Sequence, residues 1–398
     1  MSDLEIRPVP EADLDRMINF ADLVFHGRTA DDEYERYRWL PRRSERIGTY
    51  AGDTLVGQLA AFPMRLSVPG ALLDCSAVTY VGVLPTHRRR GVLTSMMERM
   101  HADAIAANRP VAALWASQSA IYGRYGFGNA DRAIGLEIDT SRPLKLRTEP
   151  DPRPLRLIDR EAAAEVIGPI HTRAIERRPG GLVRDAEWWL QNVLPSEDEE
   201  DDDLSEPRIA VMDGDPGGYA VYRTHHSGRG TVHLVDLEAD TPQVEAALWR
   251  YLSEIDLTDR VKADSRPVDD LIPYMAADPD QVTVKSEYGA LWIRLIDAPA
   301  ALRARSWASA DSLVIDLHDA RLPANQGRWR LAAGACEQTG DAPDLTLNTT
   351  ELAAAYLGGV SLRMLARLGV VTEHTPGAAE RLDRAFSVPL APYTNDGF

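Results

Sequence analysis

The sequence predicts a mixed α/β (α+β) protein of two or three domains, and three observations carry that expectation. At 398 residues the chain is too long for one ordinary core. The stretch from Val78 to Met97, VTYVGVLPTHRRRGVLTSMM, runs from β-branched and aromatic residues through a proline, three arginines and a glycine into a helical repeat. A strand, a Gly-Asp turn, a returning strand and an amphipathic helix then recur further on, so one architecture is written twice.

Composition narrows the partners. Hydrophobic content of 44% is that of a globular chain, and a net charge of −17 argues against a general nucleic-acid binder and for cationic partners. Part of that charge is the run of seven acids Glu197 to Asp203, which reads as a solvated loop. The two cysteines, Cys75 and Cys336, lie far apart with no metal spacing, which fits a reducing, cytoplasmic setting without a disulfide framework. No apolar run reaches membrane-spanning length, and MSDLEIRPVP is not a signal peptide, so neither a membrane span nor export is expected.

Taken in order, Ile6 to Phe25 reads as a strand and then a helix with Leu14, Met17, Ile18 and Ala21 on one face. Ala30 to Leu40, with Tyr34, Tyr37 and Trp39, reads as a second helix. Ile47 to Val68 is a hairpin turning at Gly52-Asp53. Val78 to Val83 is the next strand, and Val92, Leu93, Met96, Met97 and Met100 mark the helix after it. Val111 to Trp115 is a short apolar strand, followed by Ser117-Gln118-Ser119 and a short helix carrying Tyr122. Ala133 to Asp139 closes this first domain as a strand, and the Pro- and Arg-rich Thr140 to Pro154 reads as a linker. Arg208 to Arg223 repeats the hairpin, and the following strand leads to a helix with Val244, Ala247, Leu248 and Leu252 on one face. Trp188 and Trp189 read as core anchors, and His225, His226 and His233 lack the carboxylate or cysteine that a metal site would need; no metal is expected. From Leu291 a third domain begins with a strand and helix, continues as strands around LVIDLHD and GRWRLAAGACEQTG, and adds a helix capped by Thr349 or Thr350. A helix over Ala378 to Phe386 precedes the extended tail SVPLAPYTNDGF, whose prolines and terminal Phe398 suggest a tail that docks.

The chemistry concentrates at Arg88-Arg89-Arg90-Gly91. The first N–H groups of a helix have no intrahelical acceptor, its dipole favours an anion there, and arginines add charge and paired donors. V-G-V-x-P-x-x-R-R-x-G closely resembles the acetyl-CoA motif of the GNAT N-acetyltransferases, with Arg88 and Gly91 matching and Leu93 standing where a small residue is usual. That departure, and the segment IYGRYGFG, resemble the Eis (enhanced intracellular survival) family of GNAT proteins.

The resemblance implies two tandem GNAT-like domains, a catalytic one over 1–144 and a degenerate one over 145–290. A sterol-carrier-protein-like domain over 291–398 follows, its tail reaching the active site. It implies acetyl-CoA as co-substrate. Arg88, Arg89, Arg90, Gly91, Val92, Leu93 and Thr94 would hold the pyrophosphate; Val81, Gly82 and Val83 would present backbone groups to the pantetheine arm; Ser117 and Gln118 match cofactor-contacting positions. The second copy has Asp240-Thr241-Pro242-Gln243 at the corresponding junction, which cannot neutralise a pyrophosphate. The family's catalytic tyrosine maps to Tyr122, a phenol protonated at neutral pH and able to act on the leaving thiolate. The carboxylate of Phe398 corresponds to the family's proton acceptor, although an α-carboxyl near ~3.5 is too weak a base to strip an ammonium near ~10 in bulk water. Phe25, Tyr37 and Trp39 are candidates for the acceptor channel or for the core. The resemblance further implies primary-amine acceptors, either aminoglycoside-class polyamines or lysine ε-amines, direct attack in a ternary complex, and a homohexamer. A dedicated peptide or protein lysine acetyltransferase and a non-enzymatic acyl-CoA or lipid sensor are the alternatives.

Overall fold

An antiparallel run opens the chain: β1 (Leu4–Pro8), β2 (Glu45–Ala51), β3 (Thr54–Val68) and β4 (Ala71–Val83) are neighbours in one sheet, joined by the parallel strand β5 (Val111–Trp115). The structure, a computed structural model, describes residues 4–30, 33–197, 203–225 and 230–398. Most of the acidic run Glu197 to Asp203, and His226, lie outside the described residues. Because side chains alternate along a strand, Leu59 and Ala61 face one side of the sheet and Ala60 the other. The first face packs on Met96, Met97 and Met100 of α3 (Val92–Ala106). The second packs on Leu14, Met17 and Phe20, which belong to α1 (Leu14–Phe25). The other early helix, α2 (Tyr34–Arg42), follows α1. After β5 the chain reaches the two-residue strand β6 (Gly128–Asn129).

Here the strand assignments part from expectation. The segment Ala133–Asp139 is a strand, β7, but it does not close the first sheet. It lies in a second seven-stranded sheet with β8 (Arg156–Ile158), β9 (Arg208–Met212), β10 (Gly218–His225), β11 (Gly230–Ala239), β12 (Thr258–Pro267) and β13 (Val282–Tyr288). The order is β13-β7-β12-β11-β10-β9-β8. The helix α4 (Pro242–Ser253) buries Val244, Ala247, Leu248 and Leu252 against this sheet, as their spacing requires. Its N-cap is Thr241, and the preceding Asp240 is paired with Arg173 at 2.6 Å and Arg177 at 2.8 Å. Trp188 and Trp189 are both buried, as anchors.

Conversely β14 (Leu291–Leu295) does not begin the third domain. It enters the first sheet between β5 and β6, pairing Leu291 with Trp115 through Leu295 with Val111. Beyond it come α5 (Ala298–Ala304) and a five-stranded sheet of β15 (Leu313–His318), β16 (Gly327–Ala332), β17 (Ala335–Gln338), β18 (Leu345–Asn348) and β19 (Thr372–Glu373). The helix α6 (Thr349–Ala355) is capped by Asn348, not by either threonine: Asn348 and Glu351 form a capping box. The last helix is α7 (Ala378–Phe386). By contacts the chain forms two compact units, residues Met1–Ala130 with Leu291–Val388 and Phe398, and residues Asp131–Ala290 with Pro389–Gly397. Each strand exchange thus follows the unit in which the strand is paired.

Candidate active site

The site begins with a fault in β4. Gln58 pairs with Gly82 and Ala60 with Thr79, so Tyr80 and Val81 together oppose Leu59. This bulge, with Tyr80 at φ 53, bends the strand. The parallel pairing of β4 with β5 covers Cys75, Ser76 and Ala77, opposite Val111, Ala112 and Ala113. Past Ala77 the described ladder stops, and the backbone of Val81, Gly82 and Val83 borders a cavity of about 600 Å³. One edge of that backbone pairs with β3, and the Val83 carbonyl accepts from Arg88 Nε at 3.4 Å. The edge that faced β5 suits an extended, amide-bearing chain as an added strand.

At the other wall a 3₁₀ turn, Pro85–His87, ends β4, and the arginines follow. Gly91 is the N-cap of α3 at φ 83, with open space where a Cβ would project. Its role is therefore the left-handed backbone that points the first turn of α3 at the cavity, which any other residue would adopt under strain. Arg88, Arg89, Gly91, Val92, Leu93 and Thr94 line the cavity; Arg90 is exposed and stands outside the lining. The uncapped N–H groups of a 15-residue helix and two guanidinium groups suit an anion such as a pyrophosphate.

Tyr122 completes the cavity with Ser117 and Gln118. It does not lie on a helix as expected: it links two 3₁₀ turns, Ser119–Ile121 and Gly123–Tyr125. The sharp reversal brings the Tyr122 ring to 6.1 Å from that of Phe127, edge to face, and leaves the residue 5% exposed. Burial pushes the phenol up to about 12, with the nearby Ser117 hydroxyl acting the other way. Both thiols are buried and pushed up to about 12 by that burial, so neither Cys75 nor Cys336 is poised as a nucleophile.

Three further candidates do not line this cavity. Phe398 is outside the cavity lining; its ring packs edge to face on Phe62, centroids 5.5 Å apart. Of the aromatic channel candidates Phe25 lines the cavity, beside Val24 and His26, whereas Tyr37 and Trp39 do not. Sequence reasoning missed His26 and His87, which also line it; His26 at the left-handed C-cap of α1 carried no motif to reveal it. Among the described residues no group of three or more His, Cys, Asp or Glu could hold a metal ion.

A bulged strand diverging from its parallel neighbour over an anion-binding helix start is the arrangement of a GNAT acyltransferase. The comparisons agree with that class. Residues 5–130 and again 180–295 match family models described as acetyltransferase (GNAT) domains, and residues 298–395 match a sterol carrier protein domain. An uncharacterized N-acetyltransferase of Streptomyces avermitilis is 38% identical over 384 residues, 93% of each chain. The N-acetyltransferase Eis of Mycobacterium tuberculosis is 30% identical over 360 residues, 86% of this chain and 85% of that one. The crystal structure of Eis1 from Mycobacterium abscessus superposes with a TM-score of 0.86 at 28% identity, covering 99% of this chain and 100% of that one. The chain belongs to the Eis family of GNAT N-acetyltransferases, and its GNAT domains imply the use of acetyl-CoA. No helix among the described residues is long and apolar enough to cross a membrane.

Proposed function

We propose that this N-acetyltransferase moves the acetyl group of acetyl-CoA to a primary amine by direct attack in a ternary complex. The observation that carries the reading is the meeting of the end of β4, where its pairing with β5 has stopped, the start of α3 and the buried Tyr122 phenol in one cavity. Acetyl-CoA supplies an activated thioester. In this reading the backbone of Val81, Gly82 and Val83 aligns the pantetheine arm, and Arg88 to Thr94 bind the pyrophosphate, Arg90 adding charge from the rim. Ser117 and Gln118 steady the thiol end. The acceptor's ammonium first gives one proton to solvent by way of the Phe398 carboxylate. A C–N bond then forms, the C–S bond breaks, and a second proton leaves nitrogen and ends on sulfur.

Magnitudes decide how Tyr122 takes part. Complete transfer from a phenol near about 12 to a thiolate near ~8.5 is uphill by roughly 5 kcal/mol. Tyr122 therefore acts chiefly as a hydrogen-bond donor to the developing thiolate, completing the transfer as its own proton is replaced. The Phe398 carboxylate is assigned the nitrogen side, where it holds an ammonium and receives or relays its proton. By resemblance, and from the net charge of −17, the acceptors are aminoglycoside-class polyamines or lysine ε-amines. One observation favours the dedicated lysine acetyltransferase as a second reading: the cavity lining among the described residues has no carboxylate side chain to meet a second ammonium. A cytoplasmic homohexamer completes the proposal, on the resemblance and on the two free cysteines.

The test is acetyl-CoA-dependent thiol release against aminoglycosides and lysine peptides, wild type beside Tyr122→Phe. A fall in kcat of about 100-fold or more with acetyl-CoA KM within about threefold is expected. Undiminished turnover by the variant would remove Tyr122 from the mechanism, and turnover on peptides alone would select the second reading.

A further inference from the structure

The turn that carries Tyr122 is held from outside the GNAT fold. The Gly123 carbonyl, one residue after Tyr122, accepts the Gly126 N–H at 2.9 Å and the Thr350 hydroxyl at 3.0 Å. Both of its lone pairs are therefore occupied, one from within the turn and one from the first turn of α6. That helix lies unusually close. A Cβ on Gly128 would stand 2.2 Å from the Thr350 carbonyl oxygen and 2.4 Å from the Ala354 nitrogen. Backbone thus rests directly on backbone between β6 and α6.

A second support comes from beneath. Gly126, at φ 82, ends the turn, and its Cβ position would lie 2.3 Å from Nη1 of Arg294. Arg294 is fully buried on β14, and its Nη2 bonds both Asp319 oxygens at 2.8 and 2.7 Å. Asp319 is fixed in turn by the Arg321 and Leu322 N–H groups and by Asn325. Arg321 reaches back, its guanidinium 5.6 Å from the centroid of the Tyr125 ring, and the Tyr125 hydroxyl lies 3.3 Å from that of Thr94 in the anion-binding turn of α3. Every one of these groups belongs to the same compact unit.

We infer that the sterol-carrier-like fold serves the transfer reaction as a brace that fixes the Tyr122 turn, with Thr350 as its positioning residue. A phenol must be aimed at a sulfur within a few tenths of an ångström to act on it, and a 3₁₀ turn of three residues has little rigidity of its own. The Thr350 hydroxyl and the α6 backbone supply that rigidity. Thr350 is not among the residues lining the cavity and acts only through Tyr122, so this inference rests on Tyr122 having the role proposed above.

The test is a cycle of full-length variants: Thr350→Val, Thr350→Ser, Tyr122→Phe and the Thr350→Val, Tyr122→Phe double. Thr350→Val is expected to lower kcat by on the order of tenfold, with acetyl-CoA KM and thermal midpoint close to wild type. Thr350→Ser, which keeps the donor, should recover most of kcat. In the Tyr122→Phe background the valine change should cost nothing more, since the group it positions is already gone. A wild-type kcat for Thr350→Val beside a crippled Tyr122→Phe would overturn the brace and leave the reading of Tyr122 standing. A loss that persists undiminished in the double variant, that serine does not recover, or that tracks a fall in thermal midpoint would overturn it in favour of a purely structural contact. Full turnover by Tyr122→Phe would overturn the reading on which the brace rests.

Discussion

His101 is 2% exposed on α3, and neither ring nitrogen has a hydrogen-bond partner among the described residues. Burial drives it down to about 3, with the Arg294 charge adding to the effect. Between about 3 and the ordinary value of 6.5 the unfolded chain binds a proton that the folded chain refuses, so stability present above pH 6.5 is lost as pH falls. His171, buried and lowered to about 4, contributes in the same direction over part of that window. Each such group sets a slope of up to about 1.4 kcal/mol per pH unit. Glu238 and Glu245, both pushed up to about 7 by burial, act in the opposite sense over part of this window. The readout is therefore the difference between two proteins: in urea unfolding from pH 7 to pH 4, His101→Phe should gain stability relative to wild type as pH falls. Equal slopes for the two proteins would mean that His101 is reached by solvent or protonated without penalty. In sequence this residue was silent: a histidine among MERMHADAIA reads as readily on the polar face as on the buried one.

At the level of elements, packing distance is the variable that matters most for the site. Gly128 is the case where no side chain could give way, because the atoms a Cβ would meet are the Thr350 oxygen and the Ala354 nitrogen, both backbone. Gly128→Ala should cost about 1–3 kcal/mol in denaturant unfolding, and a neutral result would show that α6 can lift from β6. The elements themselves were mostly legible. The helix at Val92, the hairpin at Ile47, its echo at Arg208 and the last helix at Ala378 all declare their period, and the basic turn after Val83 declares its chemistry. What the residues do not declare is which sheet a strand joins. AIGLEID and LWIRL are both short, apolar and strand-like, and each lies beside a domain boundary. Their exchange, β7 into the second sheet and β14 into the first, is decided by pairing partners more than a hundred residues distant for each strand. The bulge at Tyr80-Val81 was hidden for a related reason. It is defined by register against Leu59, a property of two strands together. The position of Tyr122 between two 3₁₀ turns rests on tertiary contacts in the same way, since IYGRYGF has no period long enough to mark one turn type over another.

For the molecule as a whole, the tail poses a question that stability and turnover can answer separately. Tyr393, Thr394 and Asp396 are buried, although the last residues of a chain are commonly loose. Asp396 accepts from Arg184 at 2.8 Å and from the Trp188 indole at 2.8 Å, while Arg184 also reaches Asp236 at 2.5 Å. One buried guanidinium therefore faces two buried carboxylates. Arg184→Met would leave both without a counter-charge and should cost about 3–5 kcal/mol. Asp396→Asn leaves the Arg184–Asp236 pair intact and should cost distinctly less. Phe398 is another matter, since its ring contact is with Phe62 and it takes no part in that network. Deleting Phe398 should keep the thermal midpoint within a few degrees of wild type and still lower kcat by about 100-fold, if its carboxylate handles the ammonium proton. The new carboxylate would then sit on Gly397, one residue short, so the loss measures position as well as charge. Phe398→Leu, which keeps the carboxylate at its own position, separates the two and should recover most of the activity. Deletion that lowers midpoint and turnover together would assign Phe398 to packing alone, and full turnover after deletion would require another proton acceptor, with His26, which lines the cavity, the first to replace.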